Sequence, residues 1–263
     1  MADHAHTEVS AVHLSFKMGE ALLRNGAEIF RVQETMERVA RAYGIQEYDV
    51  YVLSNAIFAN AVEDGARIES KLKFVPGASV HLGRVAAINQ LSRSISEGKY
   101  TVSEALEKLR KITEIPYTRS LALILSCGVG SACFSYLFGG NVWDALAALL
   151  CGFALQVFLN VLDHYKASKF ISNLASSAFV ALCAVLLYSA GLGNDLDKII
   201  IGSIIRLVPG IALTTSIRDF LSGDYLSGTI RMIDALLIGG CIAIGVGAVV
   251  MLYMKFWGGA PIL

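Results

Sequence analysis

The apolar stretch from Ile199 to Asp219 carries an arginine, a Pro-Gly pair and a run of hydroxyl side chains, all of which could do chemistry. Arg206 offers five N–H donors in a planar fork that matches a carboxylate, and it stays charged in a low dielectric. Pro209 removes a backbone donor and frees a carbonyl one turn earlier, while Gly210 permits a bend. Because a charge and a backbone breaker are both costly in lipid, this pattern favours a broken helix beside a solute pathway.

Other polar residues also fall inside apolar segments. They are Asp144, Gln156, Asn160, Asn173, Thr214, Thr215, Ser216 and Asp234. Asp144 and Asp234 lie in the first turns of their helices, where interface solvation can satisfy them, so a structural role is favoured for both. We expect the substrate contacts to come from Arg206, Pro209, Gly210, Thr214, Thr215 and Asn160. An alternative is that Arg206 pairs with Asp144 or Asp234 of a neighbouring helix and only holds the helices together.

The composition is that of a membrane protein. The chain has 263 residues, of which 55% are hydrophobic and 17% charged, and its mean hydropathy is +0.57. Five segments have the length of transmembrane helices, at about 119–138, 142–162, 170–190, 198–218 and 230–254. Basic residues alternate between the loops, which predicts a cytoplasmic amino terminus and a carboxyl terminus outside. The net charge is zero, so nothing favours nucleic-acid binding.

Residues 1–118 have the pattern of a cytoplasmic α+β domain. Helical periodicity before and after the Asn25-Gly26 pair predicts a helical hairpin. Alternating patterns at 48–53, 56–62 and 67–75 predict three antiparallel strands, with a turn at Glu63-Asp64-Gly65. Two helices follow, at 80–97 and from the capping box that begins at Thr101. The fold class is therefore an α-helical membrane protein with five transmembrane helices in residues 119–263, preceded by an α+β domain.

Two long motifs resemble a known transporter family. They are NGAEIFRVQETMERVARAYG at 25–44 and LVPGIALTTSIRDFLSGDYLSGTIRMIDALL at 207–237. In this order they resemble the ThrE threonine/serine exporter family, and specifically its YjjP-like larger subunit. Gly26, Glu28 and Arg31 belong to the first motif. Apart from the resemblance, Glu28 and Arg31 lie three residues apart on a helix and could form an ion pair with each other.

The resemblance implies an exporter, not an enzyme, in the bacterial inner membrane. Its substrates would be small hydroxy-amino acids such as threonine and serine, or a dicarboxylate such as succinate. It also implies an oligomer with a smaller, separately encoded YjjB-like membrane subunit, because fused members carry twice as many spans as this chain. The sequence predicts no catalytic residues, no metal site and no cofactor, since the five cysteines and the histidines lack ligand spacing.

The sequence does not decide what drives export or which of the two substrate classes is moved. The chain has no nucleotide-binding motif, which leaves the proton gradient or the gradient of the substrate itself. Candidates for gating or proton coupling are Asp219, Asp224, Arg231 and Asp234. Arg206 with Asp234 would suit a zwitterion, whereas Arg206 with Arg218 or Arg231 would suit a dicarboxylate.

Two other functions compete with export. One is a membrane-tethered hydrolase that uses Ser54, although no His-Asp partners for this serine are evident in the sequence. The other is a non-transporting assembly subunit of a YjjB-like transporter.

Overall fold

The computed structural model describes residues 2–63, 66–75, 80–116 and 119–257. The chain divides into two compact units, residues 1–117 and 118–263. The first unit contains α1 (Ala2–Arg24), α2 (Ile29–Ala42), β1 (Glu47–Leu53), β2 (Ala56–Glu63), β3 (Ala66–Phe74), α3 (Leu82–Ser96) and α4 (Val102–Thr113).

The helices of the first unit begin and end where local chemistry dictates. Gly26, with a φ of +79°, turns the chain between α1 and α2, a backbone conformation that favours glycine. The apolar residues of α2 recur on one face, so that Val32, Met36 and Val39 are fully buried. A capping box starts α4: the Thr101 side chain accepts from the backbone of Glu104, whose carboxylate accepts from the Thr101 N–H.

The sheet is antiparallel in the order β1-β2-β3. Its inner face packs on the helices, and Val52 and Ile57 there are almost completely buried. In the predicted turn between β2 and β3, Asp64 and Gly65 lie outside the described residues.

One buried carboxylate ties α1 to β3. Glu20 is 6% exposed; it lies 2.8 Å from Lys73 Nζ, 2.9 Å from an Arg24 Nη atom and 3.6 Å from Lys17 Nζ. Burial raises the pKa of Glu20, but the hydrogen bond from Lys73 and the charges of the three cations outweigh burial and lower this pKa below its usual value. The ionised form of Glu20 therefore stabilises this unit.

The second unit is entirely helical in its described residues. It contains α5 (Ser120–Leu137), α6 (Val142–His164), α7 (Lys169–Ser189), α8 (Leu196–Ile204), α9 (Gly210–Leu221) and α10 (Tyr225–Trp257). Four of these helices, α5, α6, α7 and α10, are long and apolar enough to cross a membrane. The prediction of a mostly helical chain with apolar spans and a small sheet is confirmed.

The segment predicted as one membrane span at 198–218, with a broken helix at Pro209-Gly210, consists of α8 and α9, separated by residues 205–209. One predicted helix start differs from the structure. The last helix begins at Tyr225 instead of 230, because the Asp224 carboxylate accepts from the backbone of Ser227 and caps a polar first turn.

Small residues allow α5, α6 and α8 to approach closely. A Cβ atom placed on Gly152 of α6 would lie 2.8 Å from the Cys127 carbonyl oxygen of α5. A Cβ atom placed on Gly202 of α8 would lie 2.6 Å from the Ser135 backbone nitrogen. Backbone contacts of this kind leave no space between the three helices. Beyond them, α7 packs against α10, and α9 packs along α10.

Candidate functional site

The break between α8 and α9 is a turn that ends at Pro209. Leu207 and Val208 donate backbone hydrogen bonds three residues back, to Ile204 and Ile205, and the Gly210 N–H bonds to Val208. Pro209 has no N–H, so the α-helical pattern cannot pass through it. The N–H groups of Ile211 and Ala212, in the first turn of α9, meet no acceptor among the described residues.

A chain of polar side chains joins this break to α6. Arg206 Nε donates to Gln156 Oε1 at 2.6 Å, and Gln156 Nε2 donates to Asn160 Oδ1 at 3.0 Å. Gln156 is 3% exposed, whereas Arg206 is exposed. The terminal Nη atoms of Arg206 donate no hydrogen bond within the described part of the chain. Because Gln156 holds the Nε atom and leaves the two Nη atoms without an acceptor, the Nη N–H groups are available as a pair of donors to a ligand.

The break lies well inside the unit. Gln156 is followed by eight residues of α6, about 12 Å of helix, and preceded by about 21 Å. At one end of the unit, the Asp144 Oδ1 atom accepts from the backbone of Asn194 at 2.6 Å and of Asp195 at 2.9 Å, just before α8. At the other end, Asp219 of α9 lies 3.4 Å from Arg231 of α10. The broken pair of helices thus runs from one end of the unit to the other.

Neither acidic residue that was considered as an alternative partner of Arg206 pairs with it. Asp144 is fully buried, and its Oδ2 atom accepts from the Asn141 N–H at 2.8 Å, in addition to the two bonds at its Oδ1 atom. Asp234 pairs with Lys169 of α7 at 2.8 Å. The arginine is therefore held by a neutral amide and has no carboxylate partner in the described residues.

The remaining predicted residues fall into three places. Thr214 and Thr215 lie on α9, and both hydroxyls donate to carbonyls of their own helix. Asp219, Asp224, Arg231 and Asp234 lie where α9 meets α10 or, for Asp234, where α10 meets α7. Gly26, Glu28 and Arg31 belong to the first unit, where Arg31 Nε donates to Glu28 at 3.0 Å as expected.

Sequence reasoning left two residues out of the predicted site. Gln156, the direct partner of Arg206, was recognised as a polar residue inside an apolar segment but was not assigned to the substrate contacts. Lys169, the partner of Asp234, was visible only as a loop charge. The depth of the Gln156 amide in the predicted span was the signal that could have added it to the site.

The arrangement suits an anion. The open guanidinium edge of Arg206 and the unaccepted N–H groups at the start of α9 are all donors, and a helix amino terminus carries partial positive charge. The Asn160 amide nitrogen also donates to no described residue. These groups could bind a carboxylate and one further polar group.

Comparison with known proteins identifies the family. The sequence profile of the ThrE threonine/serine exporter family matches residues 13–253. A protein of Mycobacterium tuberculosis named "Probable threonine/serine exporter" is 26% identical over 93% of this chain. A protein of Klebsiella aerogenes named "Probable succinate transporter subunit YjjP" is 25% identical over 90% of this chain, and one of Escherichia coli with the same name is 24% identical over 95%.

The relatives differ in length. The match covers 46% of the Mycobacterium tuberculosis protein, but 90% and 95% of the two proteins named subunits. No solved structure matches this chain. The family consists of transporters and not enzymes, and the match extends over both units. This chain belongs to the ThrE threonine/serine exporter family.

Proposed function

We propose that this chain is a subunit of an exporter that moves small carboxylate-bearing metabolites out of the cytoplasm. The observation that carries the proposal is Arg206, a charged residue at a helix break whose Nη atoms have no acceptor in the described residues. A charged arginine near the middle of a bilayer costs about 2.5 to 3.5 kcal/mol on insertion scales, so its presence there points to a function. Broken helices in transporters use their half-helix amino termini to bind carboxylates in this way.

The substrate carboxylate would lie between the Nη atoms of Arg206 and the first N–H groups of α9. Pro209 and Gly210 hold the break open, and Asn160 supplies a donor for a second polar group of the substrate. Thr214 and Thr215 would contact the substrate only if their hydroxyls left the carbonyls of α9.

Both substrate classes keep support from the relatives' names, which mention threonine/serine and succinate. A zwitterion needs an acidic residue near Arg206, and a dicarboxylate needs a second cation. Asp234 is paired with Lys169, and Arg231 with Asp219. Either substrate would therefore draw its second charged contact from a pair that opens during transport.

We place the chain in the bacterial inner membrane with five crossings, the fourth made by α8 and α9 together. The amino-terminal unit would be cytoplasmic and the carboxyl terminus outside, in agreement with the distribution of loop lysines and arginines. The partner would be a smaller YjjB-like membrane subunit in a hetero-oligomer, since relatives of this length are named subunits.

Export would be driven by the proton gradient. Asp219 and Asp234 would take part only when their ion pairs with Arg231 and Lys169 open. Asp224 would act through the start of α10, which it caps. If an uncoupler left efflux against a substrate gradient unchanged, this coupling would be excluded.

The alternative in which Ser54 is the nucleophile of a hydrolase has little support. Its Oγ atom is buried and has no hydrogen-bond partner in the described residues, whereas a serine nucleophile needs an adjacent base.

The test is reconstitution of this chain and the YjjB-like subunit in liposomes, alone and together, with labelled threonine, serine and succinate. We expect flux only from the pair, and its loss in Arg206→Ala with unchanged membrane insertion. Arg206→Lys serves as the matched control, because it keeps the charge but loses the fork. Flux from the partner alone would favour the assembly role, and normal flux from Arg206→Ala would exclude the carboxylate contact.

A further inference from the structure

Helices α5 and α6 are covered by their neighbours along only part of their length. The buried residues of α5 lie between Cys127 and Ser135, and those of α6 lie between Asp144 and Gln156. Toward the start of α5 and the end of α6, the same faces are less covered. They carry two exposed residues, Ser120 and Asp163, and two half-buried ones, Ile124 and Leu159, of which Leu159 packs against the core of the unit. These four residues line what we call the uncovered groove.

The helix break causes this difference. Before the break, α8 packs against both α5 and α6. After residues 205–209 the chain leaves them, and α9 packs along α10 instead. The uncovered groove is therefore the space that an unbroken continuation of α8 would have filled. Arg206, Gln156 and Asn160 lie at its inner end, because the hydrogen bonds of Gln156 join the break to α6 at this level.

Lipid is a poor occupant of this groove. Arg206 at its inner end and Asp163 near its outer end are both exposed charged residues. Charged side chains in membrane proteins face protein or a water-filled cavity. The space between α5, α6 and α8 cannot serve as an alternative route, since backbone atoms already fill it at Gly152 and Gly202. The groove is therefore the side from which we expect a polar solute to reach Arg206.

The relatives indicate what completes the groove. Those named exporters are about twice as long as the match, which covers 46% of the Mycobacterium tuberculosis protein and 51% of the Corynebacterium glutamicum protein. Those matched over nearly their whole length are named subunits. The two named exporters thus carry further sequence in the same chain, and the name subunit implies a separate partner chain.

We propose that the uncovered groove is the docking surface for a second membrane module, and that the substrate route runs between the two. The module would place apolar helices against Ile124 and Leu159 and leave a polar lining opposite Arg206 and Asn160. The route rests on the proposed function, but the docking surface does not.

The test is site-specific photo-cross-linking in membranes that contain this chain and the YjjB-like subunit. Benzoylphenylalanine replaces Ile124 in the groove or, as the matched control, Val129, which is 53% exposed on another face of α5. Leu121, 68% exposed at the groove edge, provides a second position in case the Ile124 variant does not fold. We expect an adduct with the second subunit from the groove positions and none above background from Val129.

Each other outcome overturns the docking surface. These outcomes are equal adducts from groove and control positions, adducts with lipid only, an adduct between two copies of this chain, or failure of the two subunits to co-purify. Efflux by the same membranes separates the two proposals. Active efflux without the groove adduct refutes the docking surface alone, and the groove adduct without efflux refutes the proposed function alone.

Discussion

Replacement of Gln156 by alanine is the sharpest test of how Arg206 is held. The substitution removes the 2.6 Å hydrogen bond from Arg206 Nε and frees the guanidinium to rotate. A hydrogen bond to a charged group contributes about 1.5 to 3 kcal/mol. Since about 1.4 kcal/mol corresponds to a factor of ten, substrate affinity should fall by roughly 10- to 150-fold if orientation of the guanidinium depends on this bond.

The assay is concentration-dependent efflux from liposomes that contain both subunits. We expect Gln156→Ala to raise the KM for the substrate with a smaller change in maximal rate, because the arginine is still present but no longer oriented. Gln156→Glu is the informative companion. A glutamate would pair with Arg206 and stabilise the contact between α6 and the break, yet it would compete with the substrate carboxylate. We therefore expect Gln156→Glu to keep the thermal stability and lose transport.

A purely structural role for Gln156 makes the opposite prediction, in which Gln156→Glu keeps transport. A double-mutant cycle with Arg206→Ala completes the test and is measured by thermal unfolding, because Arg206→Ala is expected to abolish flux. The stability effects of the two substitutions should be less than additive, since the hydrogen bond between the two side chains is lost in either variant. A wild-type KM in Gln156→Ala, or fully additive stability effects in the cycle, would refute the reasoning.

Three predictions concern stability and are measured by thermal unfolding of the purified full chain. Gly202→Ala should destabilise the chain by about 1 to 3 kcal/mol, because its Cβ would meet the backbone of Ser135, whereas Gly130→Ala, with open space around it, should not; equal effects would contradict the close packing of α8. Asp144→Ala should cost at least about 3 kcal/mol, because three backbone N–H groups lose their acceptor, and Asp144→Asn, which keeps an acceptor oxygen, should cost less. The pKa of Glu20 is lowered in the folded state, so its contribution to the free energy of unfolding is present above the usual pKa of 4.5 and is lost as the pH falls through the lower folded pKa. Glu20→Gln should therefore be less stable than the wild type at neutral pH and lose less stability in acid. An unchanged dependence of stability on acid pH would contradict this.

The helix break was predictable because its cause is local. Pro209 lacks an N–H wherever it stands, so the sequence alone places the interruption correctly. The capping box at Thr101 and the alternation in β1 and β2 are likewise properties of short segments, and the structure contains all three.

The partner of Arg206 was not predictable by the same means. Matching charges suggested Asp144 or Asp234, but backbone N–H groups bind Asp144 and a lysine binds Asp234. Which residue of α6 meets the break depends on how α6 and α8 pack, and a single sequence does not contain that register. The departure of α9 from α5 and α6 is also a property of tertiary packing.

Two polar contacts of the second unit respond differently to ionic strength. The loop that leads into α8 is fixed by the fully buried Asp144 carboxylate, whose hydrogen bonds from the main chain dissolved ions do not reach. The Lys169–Asp234 pair instead joins α7 to α10 with side chains about half exposed, so salt screens it. Added salt should therefore increase amide hydrogen exchange in α7 and α10 near this pair while leaving the start of α8 protected, which makes the contact between α7 and α10 the more compliant of the two.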